Sequence, residues 1–600
     1  MKKNFQAPLH VADIRLGVDV YFDAWLYSMM MDNNLAWKMN PEFIASPEQM
    51  AFMVQLGVDQ VYLPCSDATF VMLYTERMHG ELQKYYNRAW RIIVRLIRSF
   101  IPERLERIRV LHFCRYRFAQ HIAQRALIPS RLVKRMTNLV LAQSGLDDPW
   151  QEGRSASCRR QREMLELPEI KNNLDRMPRW KLPRDMERAR LLLDNLELTR
   201  FLCLSAVARD WQKTLPSSRE IRRMMLSAEK AVLRIREDVE SRLSPSATIL
   251  FLVDADGGIV FDLAMLQKLI RMGHRVICAV KAGFYFFSPT ITDMETDETL
   301  MRWLRNGIVL RDQNLSKNDL LRYLREYRLM VISDGTRERL NLTRVSVTFS
   351  RAWKEADVIL CKGWRAADIL LGTSHGFTRD IICYWHDDEG FHVQYRKHAA
   401  AARKFNENDI MAQSDAIIEK MRRARLNSQP VMFYSCIIGS IPGQTAVAVA
   451  LARAFVDNLR KKMDNIFIIN PAEHFVEGMD GDDLMFMWER VQRSGYIDIW
   501  RFQTVKDIEK SFALLNTKVP PVWQGMDSTY STGCTKEMRI ALDVQAKNRE
   551  MQIIGPEPRL FVRRSEYGVG KYFDAAFSRE TSRDKGNAGA FKPGGKPAPR

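Results

Sequence analysis

The chain has 600 residues, of which 46% are hydrophobic and 27% are charged, and its formal net charge is +19. This length predicts several domains, and the ordinary composition excludes a fibrous or wholly disordered chain. No apolar stretch approaches the ~18 residues of a membrane-spanning helix, and the first residues lack the apolar core of a secretory signal. The nine cysteines form no CxxC pair, so we expect reduced thiols and a cytoplasmic protein. The excess of positive charge favours anionic partners.

Residues 1–78 predict a small α+β module. The segments IRLGVDVYFD and VDQVYLPCS are expected as strands, and PEQMAFMVQLG between them is expected as a short helix that begins near Pro47. Through VADIRLGVDV and Ser46–Leu63, residues 1–75 resemble the accessory domain found ahead of HD-GYP cyclic-di-GMP phosphodiesterases. No HD-GYP catalytic sequence follows this segment.

Residues 79–245 predict a basic, mostly helical region, since apolar residues recur there at helical spacing. Arg88, Arg91, Arg95 and Arg98 fall on one face of a predicted helix. A solvated basic surface is the default interpretation of such a face. Contact of residues 77–135 with acidic lipid or RNA is the alternative.

Residues 246–400 alternate strands with helices, which predicts a parallel sheet covered by helices. The expected strands are Thr248–Val253, Arg275–Val280, Leu329–Ser333, Val358–Cys361 and Asp380–Tyr384. A charged helical connector is expected at 401–429, a second α/β domain at 430–576 and a disordered tail at 577–600. The predicted fold class is therefore multidomain α/β: a central parallel-sheet domain with a helical annex, the small α+β module and the second α/β domain.

The carboxyl ends of the predicted central strands carry charged and polar residues, where open α/β sheets place their ligands. Asp254, Asp256 and Asp293 are the expected ligands of a hard divalent cation such as Mg²⁺ or Mn²⁺. Lys362 is the expected counter-charge of a phosphate. Each acid alone is also typical of a helix cap or a turn. The phosphate would further contact a set of small residues at the same sheet edge, namely Gly257, Gly258, Ser333 and Gly363.

The same segments carry a family resemblance. Taken in order, DADGGIVFD, PTITD and ADVILCKGW resemble the motifs of the metal-dependent damage-control phosphatases related to the ARMT proteins, and the similarity covers residues 110–395. The resemblance implies a phosphomonoesterase that uses Co, Ni, Mn or Mg to hydrolyse small sugar phosphates or damaged phosphometabolites. If the domain hydrolyses its ligand, Asp254 and Asp256 are the expected catalytic residues.

Several positions depart from the family pattern. Ala255 stands in place of the metal-binding Asn of the family, and Gly258 in place of its Glu. Trp364 and Arg365 follow the Lys-Gly pair, where the family usually carries Gln and Asn. Asp256 is the expected substitute for the missing ligand, and Arg365 for the missing phosphate contact. Metal-assisted hydrolysis and binding without hydrolysis therefore both stay open.

A second candidate anion site is the GSIPGQT segment, which follows a predicted strand in the C-terminal half. Gly439 and Gly443 are one residue too close for a Walker A loop, and Gln444, before Thr445, stands where its Lys should be. A looser anion site at the following helix N-terminus is the functional interpretation. A tight turn from strand to helix is the structural one.

The sequence thus predicts a phosphatase-like protein that hydrolyses or binds a small phosphorylated metabolite and uses a divalent metal ion. One alternative is a catalytically silent sensor of a phosphorylated ligand or nucleotide. The other is a basic scaffold that docks on membrane or RNA.

Overall fold

The computed structural model describes residues 7–36, 44–57, 60–75, 79–123, 126–178, 183–208, 211, 216–240, 246–255, 257–399, 405, 407–441, 443–463, 465–474 and 479–562. The chain divides into two compact units, Met1–Ala401 and Ala402–Arg600. The tail predicted at 577–600 lies outside the described residues, and the finer domain boundaries expected from the sequence stay predictions. Within the described ranges, no helix is both long enough and apolar enough to cross a bilayer.

The first unit begins with a helical half. Five of its helices, α1 and α3 to α6 in the list that follows, share one hydrophobic core. The buried members of this core include Leu26, Phe70, Ile93, Cys114 and Leu132. The elements of this half are α1 Val20–Asp32, α2 Pro47–Ala51, β1 Val54–Gln55, α3 Asp67–Tyr74, α4 His79–Phe100, α5 Arg104–Ala123, α6 Pro129–Ser144, α7 Gln151–Glu166, α8 Pro168–Leu174, α9 Met186–Val207 and α10 Ser218–Glu240.

The strand predicted over residues 14–23 is wrong, because these residues form no strand and helix α1 begins among them, at Val20. The carboxylate of Asp19 accepts hydrogen bonds from the amides of Tyr21 and Phe22, at 3.0 and 2.9 Å, and so caps the helix. Leu26 and Met29 then fall on the buried side of α1. The short apolar alternation before them indicated a strand, but capping and burial of the following helical face decide the structure. Residues 60–66, which were also expected as strand, form none.

Seven strands of the described first unit form one sheet in the order β4-β5-β3-β2-β6-β8-β9. All neighbours run parallel except β8 and β9, which are antiparallel. The short strand β7 pairs instead with β1. The elements are β2 Thr248–Leu252, α11 Ile259–Arg271, β3 Arg275–Val280, α12 Ile291–Thr296, α13 Glu298–Trp303, β4 Gly307–Leu310, α14 Lys317–Glu326, β5 Leu329–Ser333, α15 Val347–Glu355, β6 Val358–Lys362, α16 Trp364–Leu371, β7 Gly376–Phe377, β8 Asp380–Asp387 and β9 Gly390–Arg396.

This arrangement confirms the predicted α/β class and all five predicted central strands. Every residue of β2, β5 and β6 is buried, as expected of parallel strands covered on both faces. The chain leaves β2 towards β3 on one side and later returns to place β6 on the other side. The sheet order therefore reverses between β2 and β6, which is where open α/β sheets form a ligand crevice.

The second unit is also α/β. Its described strands form a parallel sheet in the order β11-β10-β12-β13. Phe433, Trp500 and Phe502 lie in the core on one side of this sheet. The elements are α17 Glu407–Leu426, β10 Val431–Ser435, α18 Thr445–Lys462, β11 Phe467–Ile469, α19 Gly481–Gln492, β12 Ile499–Phe502, α20 Val505–Leu514, α21 Thr532–Lys547 and β13 Gln552–Ile554.

Candidate functional site

The carboxyl ends of β2 and β6 bring Asp254 and Gly363 into contact. Gly363 has a φ of +93°, and a Cβ added to it would collide with the carboxylate of Asp254. Asp254 is 8% exposed, and its Oδ1 accepts the amide of Ala255 at 2.6 Å. Ser288 donates to the carbonyl oxygen of Asp254 at 3.0 Å. The prediction that these strand ends meet is confirmed for β2 and β6.

Lys362 is buried and has protein partners. Its Nζ donates to Oδ1 of Asp262 at 2.7 Å and to the carbonyl oxygen of Gly257 at 2.8 Å, and its side chain is 4% exposed. Ser205 donates to the same Asp262 oxygen at 2.5 Å and is bonded to the hydroxyl of Tyr384 at 2.8 Å. Burial raises the pKa of Asp262, while Lys362 and Ser205 oppose this shift. Lys362 therefore neutralises a buried carboxylate, and its contact with a phosphate stays a prediction.

Asp293 is engaged by Thr290 and Arg154. It caps α12, where its Oδ2 accepts the amide and the hydroxyl of Thr290 at 2.8 and 2.9 Å. Arg154 donates to its two oxygens at 2.8 and 3.0 Å, so the carboxylate is both buried and ion-paired. Asp293 lines a small cavity with Gly257 and Gly258, whereas Asp254 lines another. The helix-cap interpretation of this acid is the one that the geometry supports.

Ser333 is likewise engaged within its own turn. Its hydroxyl accepts the amide of Gly335 at 3.0 Å, and its side chain lies at the end of β5, two strands away from β2. Between them, at the end of β3, Lys281 donates to Oδ2 of Asp334 at 2.5 Å. Ser333 therefore lies apart from the crevice between β2 and β6.

A cavity of about 330 Å³ opens beside the same sheet edge, between α3, α4, α6, α16 and the loops after β2, β3 and β5. We call it the arginine cavity, because four arginine side chains line it and Asp368 contributes its one carboxylate among the described residues. A side cavity of about 30 Å³ holds Asp254 and shares Tyr285, Arg339 and Arg365 with it. The four arginines are Arg88, Arg95, Arg339 and Arg365.

Arginines and aromatic rings are interleaved on this wall. The guanidinium carbons of Arg88, Arg339 and Arg365 lie 6.0, 5.9 and 5.4 Å from the ring centroid of Trp364. Arg339 also donates to the carbonyl oxygen of Arg365 at 2.8 Å and to Asp368 at 2.9 Å. Burial raises the pKa of Tyr285 to about 12, and Arg339 and Arg365 oppose the shift. Tyr285 therefore stays a protonated hydroxyl beside a positively charged surface.

The described residues do not fit the metal site that the resemblance implied. No group of three His, Cys, Asp or Glu side chains placed to hold a cation occurs among the described ranges, and Asp256 lies outside them. Ala255 supplies no ligand atom, and Gly258 leaves no room for one. A Cβ on Gly258, which has a φ of +93°, would lie 2.5 Å from the Ala208 side chain and 2.8 Å from Lys362 Nζ. Asp254 remains the described carboxylate at the crevice, and its metal role stays a prediction.

The GSIPGQT segment of the second unit forms a turn into α18. The amide of Gln444 donates to the carbonyl oxygen of Ile441 at 3.1 Å, and its side chain accepts the indole N–H of Trp523 at 3.2 Å. Gly439, Gly443 and Thr445 are exposed. Among the described residues, no side chain caps this helix start. The structure thus gives the turn, and anion binding there stays a prediction.

Comparison with known proteins adds a similarity to one family. Residues 126–366 match the family described as the damage-control phosphatase ARMT1-like domain. The middle of this chain is therefore similar to that family, and for this similarity we call residues 126–366 the ARMT1-like domain. Among solved structures, the chain is similar to a DUF89 family protein, PH1575, from Pyrococcus horikoshii, with 19% identity and a TM-score of 0.34 over 50% of this chain and 90% of that one. No curated protein matches the chain. The resemblance of residues 1–75 to an HD-GYP accessory domain stays a prediction.

Most residues of the candidate site that were not singled out from the sequence lie outside the family motifs. Arg88 and Arg95 belong to α4, which precedes the ARMT1-like domain. The sequence predicted that they share one face of a helix, but not that they line a cavity. Arg339 follows β5 without a motif. Asp262 is the last residue of DADGGIVFD and lies in the first turn of α11, and no spacing in the sequence links it to Lys362.

Proposed function

We propose that the ARMT1-like domain binds a small phosphorylated metabolite in the arginine cavity. The observation that carries the proposal is the convergence of four arginines on one cavity beside the crevice between β2 and β6. Guanidinium groups bind phosphate through paired, charge-assisted hydrogen bonds. The cavity volume of about 330 Å³ lies at the lower end of the range for small-molecule sites.

The geometry supports binding better than metal-assisted hydrolysis. Lys362 is committed to Asp262, and Asp293 to Arg154. The three predicted metal ligands are Asp254, Asp256 and Asp293. Among the described residues, only Asp254 of these three lies at the crevice between β2 and β6. The family chemistry makes a phosphatase the natural comparison. We infer a phosphatase-like ligand-binding domain, and hydrolysis is the outcome that the following experiment decides.

The test uses the full chain and ribose 5-phosphate in equilibrium dialysis at low and high salt. Arg88→Gln and Arg365→Gln should each weaken binding about tenfold or more, since a charge-assisted contact contributes roughly 1.5–3 kcal/mol. Arg98→Gln is the matched control, because Arg98 is an exposed arginine of α4 that does not line the cavity. Equal binding by all of these proteins would contradict the proposal.

Hydrolysis is measured separately with p-nitrophenyl phosphate and Mg²⁺, Mn²⁺, Co²⁺ or Ni²⁺. Turnover that Asp254→Asn abolishes would establish an active phosphatase. Binding of ribose 5-phosphate without turnover in any of the four metals would establish the silent sensor that the sequence left open.

A second candidate function rests on the exposed face of α5. Leu105, Ile108 and Tyr116 are 77%, 43% and 61% exposed, and helical spacing places them opposite the buried residues Val110 and Cys114. Apolar side chains between cationic ones are typical of helices that lie in a membrane interface. The charge matches an anionic surface, since four exposed arginines flank the apolar residues, namely Arg104, Arg109, Arg115 and Arg117.

We propose that this face docks on an anionic membrane surface, and vesicle co-sedimentation tests it. The full chain should bind vesicles that contain phosphatidylglycerol more than vesicles of phosphatidylcholine alone. Leu105→Ser should reduce this binding, and Leu233→Ser, which changes a 61% exposed leucine of α10, should not. If the chain binds RNA in a salt-sensitive way and does not bind vesicles, the partner of this face is RNA and the membrane proposal is wrong.

A further inference from the structure

The arginine cavity has a second property that the phosphate does not use, namely an aromatic lining. Trp150 and Phe287 stack with their ring centroids 4.9 Å apart, and Phe286 lies 5.3 Å from the same Trp150 ring. Trp364 lies beside three guanidinium groups on the wall. In total the lining includes six aromatic side chains: Tyr85, Trp150, Tyr285, Phe286, Phe287 and Trp364.

The polar side chains of the lining offer few partners for sugar hydroxyls. Apart from the arginines and the hydroxyls of Tyr85 and Tyr285, they are Thr69, Ser130 and Asp368. The hydroxyl of Thr69 is already bonded to that of Ser66 at 3.0 Å, and Asp368 accepts from Arg339 at 2.9 Å. A ligand that presented only hydroxyl groups would place them against apolar ring faces. Buried polar groups without partners cost binding free energy.

A ligand that combines a planar ring with a phosphate satisfies both parts of the lining. Flat conjugated rings stack on aromatic side chains and on guanidinium planes, and this stacking tolerates different bases because each has a π-face. The cavity volume of about 330 Å³ is of the size that small-molecule sites require. We propose that the ligand of the arginine cavity is a nucleotide, with its base against the aromatic lining and its phosphate at the arginines. This inference rests on the proposed phosphate binding and deepens it.

The experiment compares one nucleotide with its two parts on the full chain. Isothermal titration or equilibrium dialysis is carried out with AMP, ribose 5-phosphate and adenosine. AMP should bind at least about tenfold more tightly than ribose 5-phosphate, since stacking of one base contributes an effect of that order. Adenosine should bind more weakly than AMP, because it lacks the charge that the arginines attract.

Two variants separate the base from the phosphate. Trp364→Leu, at a position that is 37% exposed, should weaken AMP binding about tenfold and leave ribose 5-phosphate binding unchanged. Arg365→Gln should weaken both. Tyr85→Leu, at a position that is 44% exposed, repeats the base test if the Trp364 variant unfolds. Tyr116→Leu, on the exposed face of α5, is the matched control and should bind AMP normally.

The results distinguish the failure of each inference. If ribose 5-phosphate binds through Arg365 and AMP binds no more tightly, the nucleotide assignment is overturned and the phosphate site stands. If AMP and ribose 5-phosphate both fail to bind, the proposed function itself fails. If AMP binds tightly but Trp364→Leu and Tyr85→Leu have no effect, the base does not use the aromatic lining and the assignment is overturned.

Discussion

The buried pair of Lys362 and Asp262 allows a quantitative test of the role that the structure gives to the lysine. Lys362→Met removes the cation and leaves Asp262, whose side chain is 2% exposed, without its ion-pair partner. Breaking a buried pair in this way costs roughly 3–5 kcal/mol at neutral pH, because an uncompensated charge remains in the core. For a unit of about 400 residues, an unfolding entropy of about 2.1 cal/mol/K per residue converts this cost into a fall of about 4–6 °C in melting temperature.

The pH dependence makes the test specific. Burial already raises the pKa of Asp262, and loss of the opposing Lys362 should raise it further. A folded pKa above the unfolded value of about 3.9 means that the folded state keeps its proton while the unfolded state loses it. The variant should therefore lose stability as the pH rises from about 4 to the folded pKa, by roughly 1.4 kcal/mol per pH unit.

The double variant Lys362→Met/Asp262→Asn is the matched control, since it differs from the single variant only in the ionisable carboxyl. Melting is followed by calorimetry from pH 4.5 to 8, and exchange of β6 amides assigns the transition to the first unit. The two variants should melt within about 1 °C of each other at pH 4.5 and separate by about 4–6 °C at pH 8. If the separation does not depend on pH, or if Lys362→Met is as stable as the natural chain, Lys362 does not neutralise Asp262 and its assignment as a phosphate contact returns.

Three further outcomes follow from the structure. In thermal melts, Gly258→Ala should destabilise the first unit by several kcal/mol more than Gly145→Ala does. Both glycines have a positive φ, but of the two only Gly258 would press a Cβ against Ala208 and Lys362. Equal losses of stability would contradict this collision. Asp293→Asn should lower the melting temperature, because Arg154 loses a charged partner. The same variant should bind ribose 5-phosphate as the natural chain does. Loss of binding at unchanged stability would instead place Asp293 in the binding site. Burial raises the pKa of Glu537 to about 7, so the second unit should lose roughly 3 kcal/mol of stability between pH 4.5 and 7 and then level off. Glu537→Gln should flatten this profile in hydrogen exchange of β10, and an unchanged slope would show that another group titrates.

The sequence by itself determined the five predicted central strands, the fold class and the sheet edge at which Asp254 and Gly363 lie. Buried strands such as β2 and β6 are read from continuous apolar runs, since both faces of a parallel sheet are covered. Asp254 and Gly363 were predicted at one sheet edge because they follow such runs directly, and the structure brings them into contact. The motif order also indicated the resemblance of the central region to the damage-control phosphatases, and the match over residues 126–366 confirms this resemblance.

Only the tertiary structure decided which partners the charged residues have. A carboxylate after a strand has the same sequence signature whether it meets a metal, a lysine or an arginine. Asp262 meets Lys362 across the sheet edge, and Asp293 meets Arg154 from α7, at separations in the chain that no local pattern encodes. The arginine cavity likewise joins Arg88 of α4 to Arg365 of α16. Local propensity fixes strands and caps because neighbours in sequence carry that information, whereas the charge balance of a site depends on side chains that folding alone brings together.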